Sequence, residues 1–195
     1  DAETLKSFDS DGFTVGTTAQ VNTNTENYVS WNWKAGTTTG IAGSPSITPT
    51  SYSFNATSGF SVIAYTGTGS VATLPHGLGV APKLIMIKDL AGTDWAVYHD
   101  SMDATAPEDY FQSLNLTAAR SDNAAIWNDT APTSTLFTLG TGTYVNASGN
   151  DFIAYCFTDV QGYSKFGSYT GNGNTADGPF TNTGFRPAFV MVKIT

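Results

Sequence analysis

The sequence predicts an all-β protein, an antiparallel β-sandwich or jelly-roll-like fold, and three observations lead to this prediction. Apolar and polar residues alternate with a period of two, and no window of a dozen residues shows a helical period. Clusters of Gly, Asn, Asp and Ser separate the alternating stretches, as turns separate the strands of a sandwich. Charged residues make up only 12% of the chain, so hydroxyl and amide groups supply most of its polarity.

The first five predicted strands lie next to turn signals. Phe13–Val15 follows an Asp-Gly pair, and Tyr28–Trp33 follows a polar stretch rich in Asn and Thr. Phe60–Thr66 begins after a glycine and ends at Gly-Thr-Gly. Lys83–Lys88 starts after a proline, and Trp95–Tyr98 follows Gly-Thr-Asp.

The last five predicted strands follow the same rule. Phe111–Leu116 ends in an alternating Leu-Asn-Leu, and Leu136–Leu139 precedes another Gly-Thr-Gly. Asp151–Phe157 is the most aromatic and follows Ser-Gly-Asn. Ser164–Tyr169 precedes Thr-Gly-Asn-Gly, and Ala188–Ile194 follows a proline. Helix is predicted only as single turns, one from Ala106 and one near Arg120.

The single cysteine, Cys156, lies within the aromatic strand 151–157. One cysteine excludes an intramolecular disulfide and a thiolate metal cluster. We therefore expect Cys156 to be a small buried core residue.

Several motifs occur twice in the chain, and the first three pairs share one spacing. The pairs are FTVG (13–16) with FTLG (137–140), VN (21–22) with VN (145–146), YVSWNW (28–33) with FIAYCF (152–157), GFSVIAYTGTG (59–69) with GYSKFGSYTGNG (162–173), and KLIMIK (83–88) with AFVMVK (188–193). A Gly-x-x-Pro turn precedes both copies of the last pair. The sequence thus predicts an internal repeat of roughly 100–125 residues, the size of a small β domain rather than a solenoid coil.

The repeat predicts how the chain is organised. Residues 1–36 form the back half of a unit, 37–58 a Ser/Thr/Pro-rich linker, 59–162 a complete unit, and 163–195 the front half of another unit. The linker, with its two prolines, is expected to be mobile or extended. We expect the two half-units to pack together, within one chain or between neighbouring chains.

The charge balance disfavours several classes of partner. The net charge is −8 with a pI near 4.4, and the eight Lys and Arg residues are scattered. Nucleic acids and anionic membranes both require clustered basic side chains, so we expect neither as a partner. The longest apolar run is too short to cross a bilayer and no stretch has the pattern of a signal peptide, so we expect no membrane insertion.

Candidate catalytic and cofactor residues are few. His99, Asp100 and Ser101 are consecutive, but neighbouring strand residues point to opposite faces and so cannot form a nucleophile–base chain. His76 lies in a Pro/Gly turn without another His or Cys nearby. We expect no enzyme and no cofactor, and two carboxylates about 5–10 Å apart in a cleft would revive an enzymatic role.

Asp9 and Asp11, in FDSDGF, are the weak alternative for a metal site. Two aspartates before a glycine can begin a calcium loop, but the glycine is too early for an EF-hand and the closing glutamate is absent. A turn capped by an aspartate side chain is the favoured interpretation.

Four tryptophans are the candidates for a ligand surface, since exposed aromatic rings can stack on sugars. Trp31 and Trp33 would share one strand face, but their repeat counterparts Tyr155 and Phe157 favour core packing for them. Trp95 and Trp127 have no counterpart, so they are the stronger ligand candidates, Trp127 together with the adjacent Asn128.

The motifs together resemble a known kind of protein. The strings SFDSDGFTVG, VNTNTENYVSWNWKAG, NATSGFSVIAYTGTG, LPHGLGVAPKLIMIK, LNLT, GYSKFGSYTGNG and ADGPFTNTGFRPAFVMVK are similar to the repeated β domain of long structural proteins of marine tailed phages. The resemblance covers nearly the whole chain. It implies a component of the virion surface, in a tail fibre or a capsid-surface fibre, that serves assembly or host attachment.

Two functions follow as expectations. The first is a phage virion structural module, a homo-oligomer or a partner of other virion proteins that contacts a host-surface glycan. The alternative is a carbohydrate-binding module of a larger secreted protein. Both are extracellular, which agrees with the low charge and abundant hydroxyl groups.

Overall fold

Antiparallel β-strands make up most of the regular structure in the computed structural model, which describes residues 4–34 and 36–195. All strand pairings among these residues are antiparallel, and the helices are single turns. The prediction of an all-β, antiparallel protein is therefore confirmed. The chain divides into an N-terminal unit, Asp1–Trp33, and a C-terminal unit, Lys34–Thr195.

The strands and helices in the described residues have the following bounds. The strands are β1 (Leu5–Phe8), β2 (Phe13–Val15), β3 (Ser51–Asn55), β4 (Phe60–Thr66), β5 (Ala72–Pro75), β6 (Leu84–Asp89), β7 (Ala96–His99), β8 (Tyr110–Ser113), β9 (Ser121–Asp122), β10 (Leu136–Leu139) and β11 (Asp151–Phe157). The helices are α1 (Ala19–Asn22), α2 (Ala124–Trp127) and α3 (Thr143–Asn146), with a 3₁₀ turn at Pro107–Asp109.

The N-terminal unit contains the β1–β2 hairpin followed by α1. Asp9 closes the hairpin: its backbone N–H donates to the Gly12 carbonyl at 2.9 Å, and its carboxylate accepts from the Ser7 and Thr14 hydroxyls at 2.9 Å each. A short polar side chain that satisfies neighbouring groups is what a tight turn requires. The hairpin turn therefore uses Asp9 as a structural residue.

A seven-stranded sheet dominates the C-terminal unit, in the order β3-β4-β11-β6-β7-β8-β9. β11 lies between β4 and β6, with Tyr155 opposite Val62 on one side and Met86 on the other. A separate two-stranded sheet pairs β5 with β10. The most aromatic strand of the sequence thus has hydrogen-bond partners on both sides, and β-branched and aromatic residues favour such a position.

The main core lies on one face of the seven-stranded sheet. Side chains from alternate positions of β4, β6, β7 and β11 pack there with residues from β5, β10, α2 and α3. The largest fully buried members include Trp127, Tyr65, Phe137, Phe152, Ile63, Leu74 and Ile85. Cys156 is also fully buried, as predicted, and burial raises the pKa of its thiol. A smaller apolar cluster forms around Leu84, Val97 and Phe157.

The predicted linker 37–58 is instead part of the C-terminal unit. Its residues 51–55 form β3, which pairs with β4, and Ile47 is buried in the main core. The Thr37 and Phe54 backbones exchange two hydrogen bonds of 2.8 and 3.0 Å. The sequence analysis missed β3 because Tyr52 and Phe54, which alternate on this edge strand, lie in a stretch rich in Ser, Thr and Pro.

Three predicted strands are not strands among the described residues: 28–33, 164–169 and 188–194. All three belong to the predicted half-units. Their repeat counterparts are β11, β4 and β6, which are consecutive neighbours at the centre of the large sheet. These segments have the alternation of strands but are not strands among the described residues.

Candidate functional site

Trp127 is a core residue, which corrects the expectation that it forms a ligand surface. Its side chain is 2% exposed, its indole Nε1 donates to the Tyr110 carbonyl at 3.0 Å, and its ring packs edge-on against Tyr98. A buried ring with its N–H satisfied offers no face for stacking. The neighbouring Asn128 ends α2 in a left-handed conformation with φ of 55°, and its backbone N–H donates to the Ala124 carbonyl.

The other three tryptophans are more accessible. Trp95 is half-buried, its ring centre lies 6.0 Å from that of Tyr155, and its backbone N–H donates to Asn115 Oδ1 at 3.1 Å. Trp31 and Trp33 are 63% and 43% exposed, so they are not the buried core residues that the repeat favoured. Because Trp95 is only half-buried, it remains a ligand candidate within the C-terminal unit.

His99, Asp100 and Ser101 do come close together, because β7 ends at His99 and a turn replaces the alternation expected of a strand. Ser101 Oγ donates to Asp100 at 3.1 Å, and the Ser101 backbone N–H donates to His99 Nδ1 at 3.0 Å. Burial lowers the pKa of His99, although Asp100 and Asp159 oppose this effect. The serine hydroxyl faces the carboxylate and not the imidazole, so the order of groups is not that of a nucleophile, base and orienting acid.

Neither predicted aspartate forms a cation cage. Asp9 uses its carboxylate in the hairpin turn, and Asp11 lies in the same exposed turn. In residues 4–34 and 36–195 no group of three or more His, Cys, Asp and Glu side chains is arranged to hold a metal ion. No helix among these residues is long and apolar enough to span a membrane.

Two clefts of the C-terminal unit are small or open and have uncharged linings. One has a volume of about 150 Å³ and is lined in part by Phe54, Gly77 and Ser134. The other, of about 440 Å³, is lined by residues 36–37 and 54–57. Small-molecule sites usually enclose roughly 300–1,000 Å³. The first cleft is smaller than this range, and the second has a volume within it but is open to solvent.

Exposed apolar side chains concentrate in the half-units. Phe13 is 41% exposed, whereas its counterpart Phe137 is 1% exposed in the core. Val190 is 67% exposed, whereas its counterpart Ile85 is fully buried. Further exposed apolar residues of these segments are Val29, Tyr163, Tyr169, Phe180, Met191, Val192 and Ile194. Contiguous exposed apolar positions are typical of surfaces that receive a partner.

The N-terminal unit has the same local geometry as its counterpart in the C-terminal unit. The helices α1 and α3 end at Asn22 and Asn146, the equivalent asparagines of the two VN motifs. Asn22 Nδ2 donates to the Gly16 carbonyl at 2.9 Å, and Asn146 Nδ2 donates to the Gly140 carbonyl at 2.9 Å. The two short segments thus fold alike at the level of single hydrogen bonds.

Asn146 makes further bonds that fix the turn after β4. Its Oδ1 accepts from the Thr68 backbone N–H at 2.7 Å, and its Nδ2 also donates to the Ser70 carbonyl at 2.6 Å. The Tyr65 hydroxyl donates to the Val145 carbonyl at 2.6 Å beside it. The repeated asparagine was recognised in the sequence but this role was not, since the turn that it holds is 76–78 residues away in the chain.

The sequence profile of a family described as domain of unknown function (DUF7483) matches residues 1–195. The chain belongs to this family. The match covers both units of the chain. No curated protein and no solved structure matches it.

Proposed function

We propose that the protein is a structural module of a phage virion, in a tail fibre or a capsid-surface fibre, that serves assembly and host attachment. The observation that carries the proposal is the pair of half-units whose core positions are exposed while their counterparts in the complete unit are buried. A building block that joins other β units needs such unfinished edges. The resemblance to repeated phage structural domains supplies the biological setting.

The proposal includes the finer architecture. The complete unit, with a main core between the seven-stranded sheet and the β5–β10 layer, is the β-sandwich-like element that repeats. The matching α1 and α3 segments and the recurring motifs support a repeat. A low charge and a large hydroxyl content suit a body that works outside the cell.

Mass spectrometry of purified virions, with immunogold labelling, tests the structural role. We expect peptides of this chain in stoichiometric amount in the particles and gold on the tail or on the capsid surface. Peptides restricted to the infected cell, with none in washed particles, would refute a virion role.

Glycan recognition is the second candidate function, and Trp95 is the observation that favours it. Trp95 is half-buried, and its backbone N–H donates to Asn115 Oδ1, whose side-chain Nδ2 donates to the neighbouring Asp94 carboxylate at 2.7 Å. An aromatic ring next to amide and carboxylate groups is a common arrangement for sugar binding. A glycan array tests it: binding that Trp95→Ala abolishes and Phe180→Ala preserves supports attachment, whereas no binding by the unmodified chain argues for a scaffold alone.

A further inference from the structure

We propose that the two clefts beside β3 form one binding site for an uncharged saccharide, with Phe54 between them. Phe54 lines both clefts, and the other lining residues come from the segments 36–42, 55–57, 77–79 and 134–135. All of them belong to the C-terminal unit, and together they are called the Phe54 groove. The inference rests on the glycan recognition proposed above as the second function, and it adds a site that Trp95 does not line and the class of sugar.

The first wall of the groove is the segment 36–42, which runs along the outer edge of β3. The Thr37 backbone N–H donates to the Phe54 carbonyl at 2.8 Å, and the Phe54 N–H donates to the Thr37 carbonyl at 3.0 Å. The Ile41 backbone N–H donates to the Tyr52 hydroxyl at 3.2 Å. Hydrogen bonds at two places therefore fix this wall to the sheet.

The opposite wall consists of residues 77–79 and 134–135, and His76 holds these two segments together. The His76 side chain is fully buried, its Nε2 lies 3.1 Å from the Thr133 carbonyl, and its Nδ1 accepts from the Leu78 N–H at 3.2 Å. Its backbone N–H donates to the Thr135 carbonyl at 3.2 Å. His76 does not line the groove, so it is a positioning residue that ties the turn after β5 to the residues before β10.

The Phe54 ring is half-buried between the two walls. The Tyr52 ring stacks beside it, with ring centres 6.1 Å apart and planes 28° apart. Gly77, with a φ of 71°, lies against the ring so closely that a Cβ there would be 2.5 Å from Phe54 Cγ. The ring is thus held in a fixed position before any ligand binds, which lowers the entropic cost of binding.

The lining of the groove contains hydroxyl and amide groups but no charged side chain among the residues that the structure describes. Thr37, Thr57 and Ser134 are exposed at its rim. Asn55 Oδ1 accepts from the Ser58 N–H at 3.1 Å, which leaves Asn55 Nδ2 as a donor for a ligand. A carboxylate, sulfate or phosphate group has no cationic partner in this lining, so the groove fits an uncharged ligand.

A saccharide matches both the ring and the polar rim. One face of a pyranose carries C–H groups that pack on an aromatic side chain, while its hydroxyl groups exchange hydrogen bonds with hydroxyl and amide side chains. A purely apolar ligand would leave these polar groups without partners. The larger cleft, of about 440 Å³, is open to solvent, so a chain of several sugars can continue beyond it.

Mapping of amide chemical shifts by NMR tests the position of the site. The probes are linear neutral oligosaccharides of glucose, mannose and galactose at up to about 10 mM, which detects a Kd in the millimolar range. With at least one probe, the signals of 36–42, 54–57, 77–79 and 134–135 should shift, and those of β11 should not. Shifts confined to other segments, or no shifts with any of the probes, refute the site.

A blocking substitution tests the groove independently. Ala42→Trp places a large side chain in the smaller cleft, and Ala119→Trp is the matched control, since both alanines are exposed and only Ala42 lines a cleft. For the probe that binds, Ala42→Trp should raise the Kd at least about tenfold, and Ala119→Trp should change it less than about twofold. An unchanged Kd for Ala42→Trp refutes binding in the groove.

The loss of single groups tests the contacts. Thr57→Val removes one rim hydroxyl and should raise the Kd about two- to tenfold. Thr48→Val, at an exposed residue that lines neither cleft, should leave it unchanged. Phe54→Leu keeps an apolar side chain without the aromatic face and should raise the Kd about tenfold. Equal Kd values for all three variants refute the assigned contacts.

Acidic sugars test the ligand class. Sialylated and sulfated oligosaccharides should bind at least about tenfold more weakly than the neutral probe, because the net charge is −8 and the lining has no cation. Equal or tighter binding of the acidic sugars refutes the uncharged class.

The site and the proposed functions fail separately. Binding that Trp95→Ala abolishes and Ala42→Trp preserves keeps glycan recognition and refutes the Phe54 groove. Binding that Ala42→Trp abolishes and Trp95→Ala preserves supports the groove and removes the role of Trp95. Absence of the chain from virions refutes the structural role and leaves either result in force.

Discussion

Asn146 shows how a single side chain joins distant parts of the complete unit. Its amide bonds to Thr68 and Ser70, which lie just before β5, and to Gly140, which directly follows β10. The Asn146 side chain is fully buried, and the Gly140 carbonyl that accepts from it is buried as well, whereas Thr68 and Ser70 lie at the surface. Asn22 has the same place in the back half-unit, but it is exposed.

The first prediction compares these two asparagines. Asn146→Ala should lower the free energy of unfolding by about 2–4 kcal/mol, because it removes the hydrogen bonds to Thr68 and Ser70 and leaves the buried Gly140 carbonyl without this donor. Asn22→Ala, the matched control, should change it by less than about 0.5 kcal/mol at concentrations where the chain is monomeric. Urea denaturation measures both, and equal effects would contradict the different burial of the two sites.

The second prediction concerns Trp127. Trp127→Ala should lower the free energy of unfolding by about 3–5 kcal/mol, since it empties a large core volume. Phe180→Ala, at a residue that is 91% exposed, should have an effect within about 0.5 kcal/mol. Denaturant unfolding followed by circular dichroism compares the two variants. A mild effect of Trp127→Ala would indicate that the ring is not in the core.

The third prediction is a pH dependence from the two histidines. Burial lowers the pKa of His76 and of His99 in the folded chain. The unfolded chain therefore binds protons at a higher pH than the folded chain does. The histidine contribution to the free energy of unfolding is fully present above the ordinary pKa of about 6.5 and is lost as the pH falls below it. The loss is at most about 1.4 kcal/mol per pH unit for each histidine. Urea titrations between pH 8 and pH 5 (roughly the window of histidine titration) measure this slope.

His76→Gln should reduce the slope without abolishing it, because His99 still titrates. Within the folded unit His76 Nε2 contacts the Thr133 carbonyl at 3.1 Å, and Asp100, Asp159 and Lys83 act on His99. A slope that is unchanged in the double variant His76→Gln/His99→Gln would assign the pH dependence to other groups.

At the scale of elements, pairing decides which alternating segments become strands. β4, β10 and β11 have partners, and the sequence predicted their bounds correctly. The segments 28–33 and 188–194 have similar alternation but no strand structure among the described residues. Local pattern therefore predicts the tendency to form a strand, and only the fold supplies the neighbour.

The fourth prediction tests this difference with two prolines. Ile85→Pro should cost more than about 3 kcal/mol of unfolding free energy, because β6 is hydrogen-bonded to both β11 and β7. Val190→Pro, at the counterpart position, should leave the monomer within about 0.5 kcal/mol of the unmodified chain. Thermal unfolding at low concentration compares them. A large loss from Val190→Pro would mean that segment 188–194 is already paired in the monomer.

Several features of the fold could not be predicted from the sequence, each for a physical reason. β9 has two residues, too few for a period to be recognised, and β3 was hidden in a Ser/Thr/Pro-rich stretch. Trp127 lacked a repeat counterpart, so nothing in the sequence indicated that α2 would carry it into the core. Trp31 and Trp33 were expected in a core because of their repeat counterparts Tyr155 and Phe157, but both are exposed.

At the scale of the whole molecule, the proposed repeat describes one complete β unit flanked by halves of others. Residues 34–195 contain the main core, whereas Phe13 and Val190 are exposed at positions whose sequence counterparts, Phe137 and Ile85, are buried. Under the proposed fibre role, association covers such positions, and the apparent stability of the chain then depends on its concentration.

The most direct measurement is hydrogen exchange of the amides in 28–33 and 189–194 at low and at high protein concentration. We predict fast exchange in dilute solution and protection of both segments as the concentration rises, because the proposed fibre module associates through its exposed apolar segments. Protection in β11 should be high and constant throughout. Fast exchange of both segments at every concentration would contradict the proposed role of these segments in assembly.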